Sequence, residues 1–482
     1  MILVPKYKMQ QIQQKIRSNM KTIHIYKYVI IFAVLFSATR VFSQETYLLK
    51  QLRIPEITQE NPGLEIPYDA HVAFPGLGRI NVGANLPLSY GDLFHISDNT
   101  LKRMGKTGAI NTWFQLTPIH FGFRAGRNYF SITTAVKSNF YVAFQDDLVK
   151  LLVQGNTFDK GNNSLTFFKD NAISLDMHAE IGLGYNREIN DNISFGLNAR
   201  YLSGLVNVHT RKADVTLNAG EDYHTLTLNY ILNGNFASVI DMGGLIDSNI
   251  ADPDFSGLGA SDFFQNHGFA FDIGGRYKIN RFLEVEAAVL DIGFINWKSN
   301  AYKFDVAGSK YDFLGYYSGG GLLQELETST IGDLIEESFK EIGDSLMNNL
   351  ASEMTSVTSY RKWLNTKFNV GVSFYATEHD KFNATFNGIF INKVFIPSGS
   401  ISYRRTLKRW FDVVIGNTFK GNSLLNPGAG VNFTLGVFQL YTMVDYTNTL
   451  AYIDRAKNLN VVFGINFIAH RNKDEFRGSY PY

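Results

Sequence analysis

The stretch Leu175–Tyr201, LDMHAEIGLGYNREINDNISFGLNARY, carries the pattern that decides the fold. Leu175, Met177, Ala179, Ile181, Leu183 and Tyr185 alternate with Asp176, His178, Glu180, Gly182, Gly184 and Asn186. Beyond a polar turn at 189–192, Ile193, Phe195, Leu197, Ala199 and Tyr201 alternate with Ser194, Gly196, Asn198 and Arg200. Successive side chains of a strand point to opposite faces, so each half carries one apolar face and one polar or glycine face. The stretch reads as a β-hairpin.

The same unit recurs along the chain. Phe269, Phe271, Ile273 and Tyr277, with Asp272 on the other face, lead through Ile279–Arg281 to Leu283, Val285, Ala287 and Val289. Phe368, Val370, Val372 and Phe374 lead to Phe382, Ala384 and Phe386, and Val461, Phe463, Ile465 and Phe467 form a closing strand. Asn111–Phe123 and Tyr129–Val142 flank a Gly126–Arg127–Asn128 turn, and Pro118 predicts a bulge or bend in the first of them.

A soluble sandwich would bury the apolar face and show the polar one to water. Three features predict the inverse. The apolar faces run about 10–11 residues, as a tilted strand needs to cross a bilayer. Aromatics sit near strand ends (Tyr185, Tyr201, Tyr277, Trp297, Tyr375, Tyr403 and Trp410), where interfacial girdles belong. The polar faces are rich in Gly, Asn, Ser and isolated charges, which suits a wet or plugged lumen. Backbone groups in hydrocarbon must all pair internally, and only closure of the sheet achieves that with strands. The expected fold is all-β, a transmembrane antiparallel up-and-down β-barrel of about 14 strands, with 12 to 16 defensible. It would span residues 69–467, with short turns at 188–192, 279–281, 376–381 and 407–409 facing the periplasm. Long connections near 143–170, 232–266, 316–365 and 447–458 would face outward.

Composition narrows the function classes. The 482 residues are 14% aromatic and 18% charged and contain no Cys, which excludes disulfide frameworks, thiolate metal sites and Cys nucleophiles. A mean hydropathy of −0.10 excludes a bundle of membrane helices. Within residues 1–43, Lys21 and Lys27 precede an apolar run from Val29 to Phe36, with small-residue positions at Val41 and Ser43. This predicts a cleaved signal peptide starting at Met20, with export to the Gram-negative outer membrane. That region holds seven basic and no acidic residues, so the remainder carries 38 basic against 44 acidic residues. No basic footprint for nucleic acid remains.

Asp176, His178 and Glu180 share a strand face, with Arg200 across the hairpin. A carboxylate–His–carboxylate row could ligate a divalent metal. Alternate residues point the same way in any polar lumen, however, so a hydrogen-bond and salt-bridge network is the expected role, with Asp272 a further candidate. Glu284 and Glu286 opposite Arg276 and Lys278 read as charge pairs across a hairpin. Near 330–352, Leu334, Ile335, Phe339, Ile342 and Leu346 recur at helical spacing against an acidic face, predicting a lid helix in an outward loop. Leu424–Gly430 reads as a turn between strands, since its glycines lack the Lys–Ser/Thr of a phosphate loop. No G-x-S-x-G elbow or H-E-x-x-H helix occurs, so no catalytic residue, cofactor or metal ligand is assigned and the protein is expected not to be an enzyme.

Several strings are familiar. His71-Val-Ala-Phe-Pro-Gly-Leu-Gly78, Leu183-Gly-Tyr-Asn-Arg-Glu-Ile189, Asp291-Ile-Gly-Phe-Ile-Asn-Trp297 and the Val461–Phe467 strand resemble a family of Bacteroidota outer-membrane proteins that carry a domain of unknown function. That family looks like a distant relative of FadL-type barrels, which pass hydrophobic compounds, and of the PorV-type barrel of the type IX secretion system. The resemblance implies an N-terminal hatch or periplasmic segment at 44–68 and a short C-terminal tail at 468–482. It implies transport or binding of a small hydrophobic or amphipathic solute; the alternative is a scaffold barrel for a secretion, gliding or surface-protein partner. Outer-membrane lipid is the remaining expected partner. Transport predicts an opening, whereas scaffolding predicts a lumen filled by networks around Glu180, Arg200, Glu284 and Arg276.

Overall fold

A sheet with one apolar and one polar face has no free edge to satisfy in lipid once it closes on itself. The computed structural model describes residues 47–89, 106–154, 164–219, 225–239, 264–314, 354–391, 394–420, 425–446 and 457–470. The expected signal peptide, the lid helix near 330–352 and the tail beyond His470 lie outside the described residues.

The described residues form one antiparallel sheet of 20 strands. The first are β1 (Tyr68–Ala73), β2 (Arg79–Asn85), β3 (Thr107–Ala125), β4 (Asn128–Gln145), β5 (Ser164–Lys169), β6 (Ile173–Glu188) and β7 (Ile193–Ala219). Then come β8 (Thr225–Ser238), β9 (His267–Lys278), β10 (Leu283–Trp297), β11 (Tyr302–Leu314), β12 (Met354–Ser356), β13 (Tyr360–Trp363) and β14 (Lys367–Tyr375). The last are β15 (Asp380–Ile391), β16 (Val394–Lys408), β17 (Phe411–Lys420), β18 (Pro427–Leu435), β19 (Phe438–Asp445) and β20 (Asn458–His470).

β1 and β2 lie end to end, both pairing with β3 and β20, and β13 and β14 share one place beside β10. Strands β5, β8, β11 and β12 stand outside the ring, which leaves a closed 14-stranded antiparallel transmembrane barrel. Closure is made by Tyr68↔His470 and Ile80↔Phe463. The tight turns after β3, β6, β9, β14, β16 and β18 share one end with the start of β1 and the end of β20, so the turns read from sequence do lie at a common end. Pro118 falls where the β3–β4 register shifts between Leu116 and Ile119, the bulge its missing N–H requires.

Burial is inside out. Leu183 is 61% exposed, Ile415 53% and Phe269 52%, whereas Asn85, Asn207 and Asn460 are fully buried. The apolar belt faces lipid and the asparagines face the lumen, as a membrane barrel demands.

Three expectations change. Strand lengths reach 27 residues in β7, whose outer half leaves the ring to pair with β5 and β8, while β8 pairs with β11. The connections near 143–170 and 232–266 are therefore partly strand, and α1 (Asp146–Gln154) lies in the first. A separate apolar core, including Phe167, Val215, Tyr230 and Phe304, holds this projecting sheet together. Register shifts at Thr210/Lys212 and Ala307/Ser309 swap the faces mid-strand, which hides the alternation from sequence. Trp297 is 1% exposed among Leu202, Ala237, Ala270 and Ile295 rather than in an interfacial girdle, because it lies on the inner face of β10. Pro427–Gly430 belong to β18 rather than to a turn, and Gly428 lies against Leu48 Cδ1.

Candidate functional site

The lumen is occupied by the chain's own N-terminal segment. Residues 47–66 run inside the ring as two short 3-10 helices, Tyr47–Gln51 and Pro55–Gln59, followed by an extended stretch. Leu48, Leu49, Leu52, Ile54, Ile57 and Leu64 pack on Val414, Tyr441, Met443 and Val462, an apolar patch on the inner wall. Elsewhere the segment has no sheet ladder, so its carbonyls need side-chain donors. Arg404 donates to Gln51 O at 3.3 Å, Gln439 to Arg53 O at 2.9 Å and Asn198 to Thr58 O at 3.1 Å. Asn369 reaches Glu60 O at 3.1 Å, Asn186 reaches Pro62 O at 2.6 Å, Ser194 reaches Gly63 O at 2.6 Å and Arg124 reaches Ile66 O at 2.5 Å. Wall asparagines, arginines, a glutamine and a serine thus satisfy a backbone that has no strand partner.

Charge fixes the segment as well. Lys50 pairs with Glu286 at 2.9 Å, Arg53 with Asp412 at 2.9 Å, Glu60 with Arg79 at 2.7 Å and Glu65 with Arg276 at 2.5 Å. The pairing of Arg276 and Lys278 with Glu284 and Glu286 expected across the hairpin is mostly replaced by these contacts. Arg276 stands 3.6 Å from Glu284, and Lys278 turns to Glu65 at 3.4 Å. The segment supplies nearer counter-charges than the opposite strand does.

Beside the segment, one wall carries an ion-pair chain. Arg200 on β7 donates to Glu180 on β6 at 2.8 Å, to Asp272 on β9 at 2.5 Å and to Asp291 on β10 at 2.7 Å. Lys137 on β4 reaches Glu180 at 2.8 Å, and Lys367 on β14 reaches Asp291 at 3.1 Å. The structure therefore brings Glu180, Arg200 and Asp272 together and leaves His178 at 3.8 Å from Glu180. Asp176 is separated from them, held by Lys362 at 2.7 Å and Asn207 at 2.5 Å. The Asp–His–Glu row is thus split, and among the described residues no three acidic or histidine side chains are placed to hold a metal ion.

Asp291, Lys137, Lys367 and Lys50 escape sequence reading. Asp291 has φ +59° at the point where the β9–β10 register shifts between Val289 and Ile292. That bulge turns inward a side chain that strict alternation from Val289 would place outside. A positive φ at a non-glycine residue costs of order 1–3 kcal/mol, which the surrounding bonds offset. The Asp291 N–H donates to Asp272 at 2.8 Å, and the Thr366 hydroxyl donates to the Asp291 carbonyl at 3.3 Å.

Two neighbouring cavities lie in the lumen among the described residues. One of about 90 Å³ lies against Lys50, Gln59 and Glu60 of the segment and against Arg200, Asp272 and Asn387 of the wall. A second of about 80 Å³ lies nearer the outer end, against Asp176, His178, Trp297 and Lys362. Lys137, Asp291, Lys367 and Ile389 line both. The two chambers meet at these ion-paired side chains, and the N-terminal segment borders the first.

A family of unknown function, DUF5723, matches residues 62–445. Among curated proteins none matches. Similar solved structures include the toluene transporter TbuX of Ralstonia pickettii, at 10% identity and TM-score 0.42, covering 86% of this chain and 94% of that one. The toluene transporter TodX of Pseudomonas putida has 10% identity and TM-score 0.39, covering 89% and 98%. A FadL homologue of Pseudomonas aeruginosa has 9% identity and TM-score 0.37, covering 87% and 94%.

Proposed function

The chain belongs to the DUF5723 family of unknown function, and from its geometry we propose a non-enzymatic outer-membrane barrel that binds or passes a small amphipathic solute. Residues 44–68 act as a hatch, and the two chambers above it form the solute path. The supporting observation is the pair of cavities that meet at Lys137, Asp291 and Lys367, with charges of both signs and with Trp297 and Ile295 on the outer one. Such a lining suits a polar or ionised head with an apolar body better than a plain hydrocarbon, which would leave these buried charges facing an apolar partner. The test is mass spectrometry of small molecules retained by the detergent-extracted barrel. A stoichiometric solute with an ionisable group supports this reading, and a purely hydrocarbon ligand contradicts it.

One observation favours a second reading. The projecting sheet of β5, outer β7, β8 and β11 has its own apolar core beyond the ring, which suits a platform for a surface or secretion partner. Recovery of a stoichiometric protein without solute would move the function to that platform.

A further inference from the structure

The lipid-facing side of the wall is not uniformly convex. Outward residues of β3, β4, β6 and β7 pair in rows, one of which runs Phe123, Phe130, Tyr185 and Leu197. Its rings lean on one another, with centroids 5.6 Å apart for Phe123 and Phe130 and 5.3 Å for Phe130 and Tyr185. In the next row, further from the tight turns, Ala199 stands opposite Leu183 on one side and Phe271 on the other. A methyl group between two large side chains lets the surface sink. The result is an apolar hollow of about 340 Å³ on the outer face. An apolar cavity of roughly 150 Å³ already accepts benzene, so this one has room for a stretch of acyl chain.

Toward the turns, the same face of β6 continues with Arg187, two residues beyond Tyr185 and so about 7 Å along the strand. Arg187 is exposed, bonds to Asn128 Oδ1 at 3.4 Å and forms no ion pair among the described residues. The acids close to it in sequence are engaged elsewhere. Glu188 pairs with Arg124 at 2.7 Å, and Asp191 pairs with Arg127 at 3.3 Å. Asn128 in turn accepts from the Tyr185 hydroxyl at 2.8 Å and donates to the Ala125 carbonyl at 3.3 Å. The guanidinium is thus tethered at the edge of the hollow, with most of its five N–H donors open.

A tyrosine near a strand end marks the level of the lipid headgroups. A cation there, beside an apolar hollow that runs toward mid-membrane, matches a molecule with an anionic end and a hydrocarbon body. We propose that Arg187 and this hollow form a binding site for one anionic glycerophospholipid of the leaflet on the turn side. Its phosphate sits on the Arg187 guanidinium and one acyl chain lies over Ala199. The site is on the opposite face of the wall from the chambers, so it depends on neither a solute path nor a hatch.

The test is native mass spectrometry of the full chain released from micelles holding equal amounts of phosphatidylglycerol and phosphatidylcholine with the same acyl chains. The unmodified barrel should retain one lipid, with phosphatidylglycerol favoured about fivefold, the worth of one Arg at a lipid surface. Arg187→Gln should remove the preference and still retain a lipid. Arg281→Gln, at an exposed position on another turn, should leave the preference intact. Ala199→Phe should fill the hollow and abolish retention, with Ala199→Leu as a second variant should the first fail to show normal heat-modifiability. Equal retention of the two lipids by the unmodified protein would overturn the site. So would a preference that survives Arg187→Gln, one lost equally in Arg281→Gln, or retention unchanged in an assembled Ala199 variant.

Discussion

Single residues set what the lumen can hold. Arg200 faces Glu180, Asp272 and Asp291, so its removal leaves three buried carboxylates short of a counter-charge. Arg200→Met should cost about 3–5 kcal/mol, the range for breaking a buried ion pair from one side. The midpoint of the heat-induced mobility shift on gels reads this, and an unchanged midpoint would show that the cluster is relaxed by water. Gly196 acts by absence. A Cβ there would collide with the Pro62 carbonyl, so Gly196→Val should expel residues 60–66 from the wall while the strands persist. New protease cuts in that stretch, with normal heat-modifiability, are the expected outcome, and unaltered protection would contradict the close approach. Alternation made Glu180, Arg200 and Asp272 legible because each lies in phase with its strand. Asp291 was illegible because a bulge changes the phase at that residue.

At the scale of elements, the two faces of a strand obey opposite rules. Leu183 is 61% exposed on the outer face of β6. Leu183→Arg should cost about 2–4 kcal/mol if the residue lies at the bilayer midplane. Urea titration of the barrel folding into vesicles measures it, and a neutral result would misplace that face relative to lipid. The N-terminal segment follows the rules of a protein core instead. Leu49 is fully buried against the inner wall, and Leu49→Ala should weaken docking of the segment by about 2–5 kcal/mol while leaving the strands assembled. Comparing exchange of residues 47–66 with exchange of the strands separates the two effects. Hairpins with tight turns could be read from sequence since both strands keep phase through the turn. The projecting sheet could not, because β7 and β11 each contain a register shift. Residues 47–66 hold neither a strand nor a helix period. Their leucines and charges answer to a curved wall that sets the apolar patch of Val414, Tyr441, Met443 and Val462 among polar residues, a pattern with no period along the chain.

At the scale of the molecule, closure of 14 strands leaves a lumen that the chain fills from its own N-terminus. Four ion pairs and a row of wall-donated hydrogen bonds fix the segment, and the chambers beside it are lined by charged and apolar side chains that meet at Lys137, Asp291 and Lys367. The sequence carried enough to expect networks around Glu180, Arg200, Glu284 and Arg276, but not that the segment's Lys50 and Glu65 would complete them. The strand count followed from turn spacing, whereas the chambers leave no motif, since their lining is assembled from residues far apart in the chain. The most direct measurement is single-channel conductance in planar bilayers, comparing the full chain with a chain lacking residues 44–66 and checked for folding by heat-modifiability. The full chain should be closed or nearly so, and the shortened barrel should show a stable open level. Equal conductance in the two would contradict an N-terminal segment that closes the lumen.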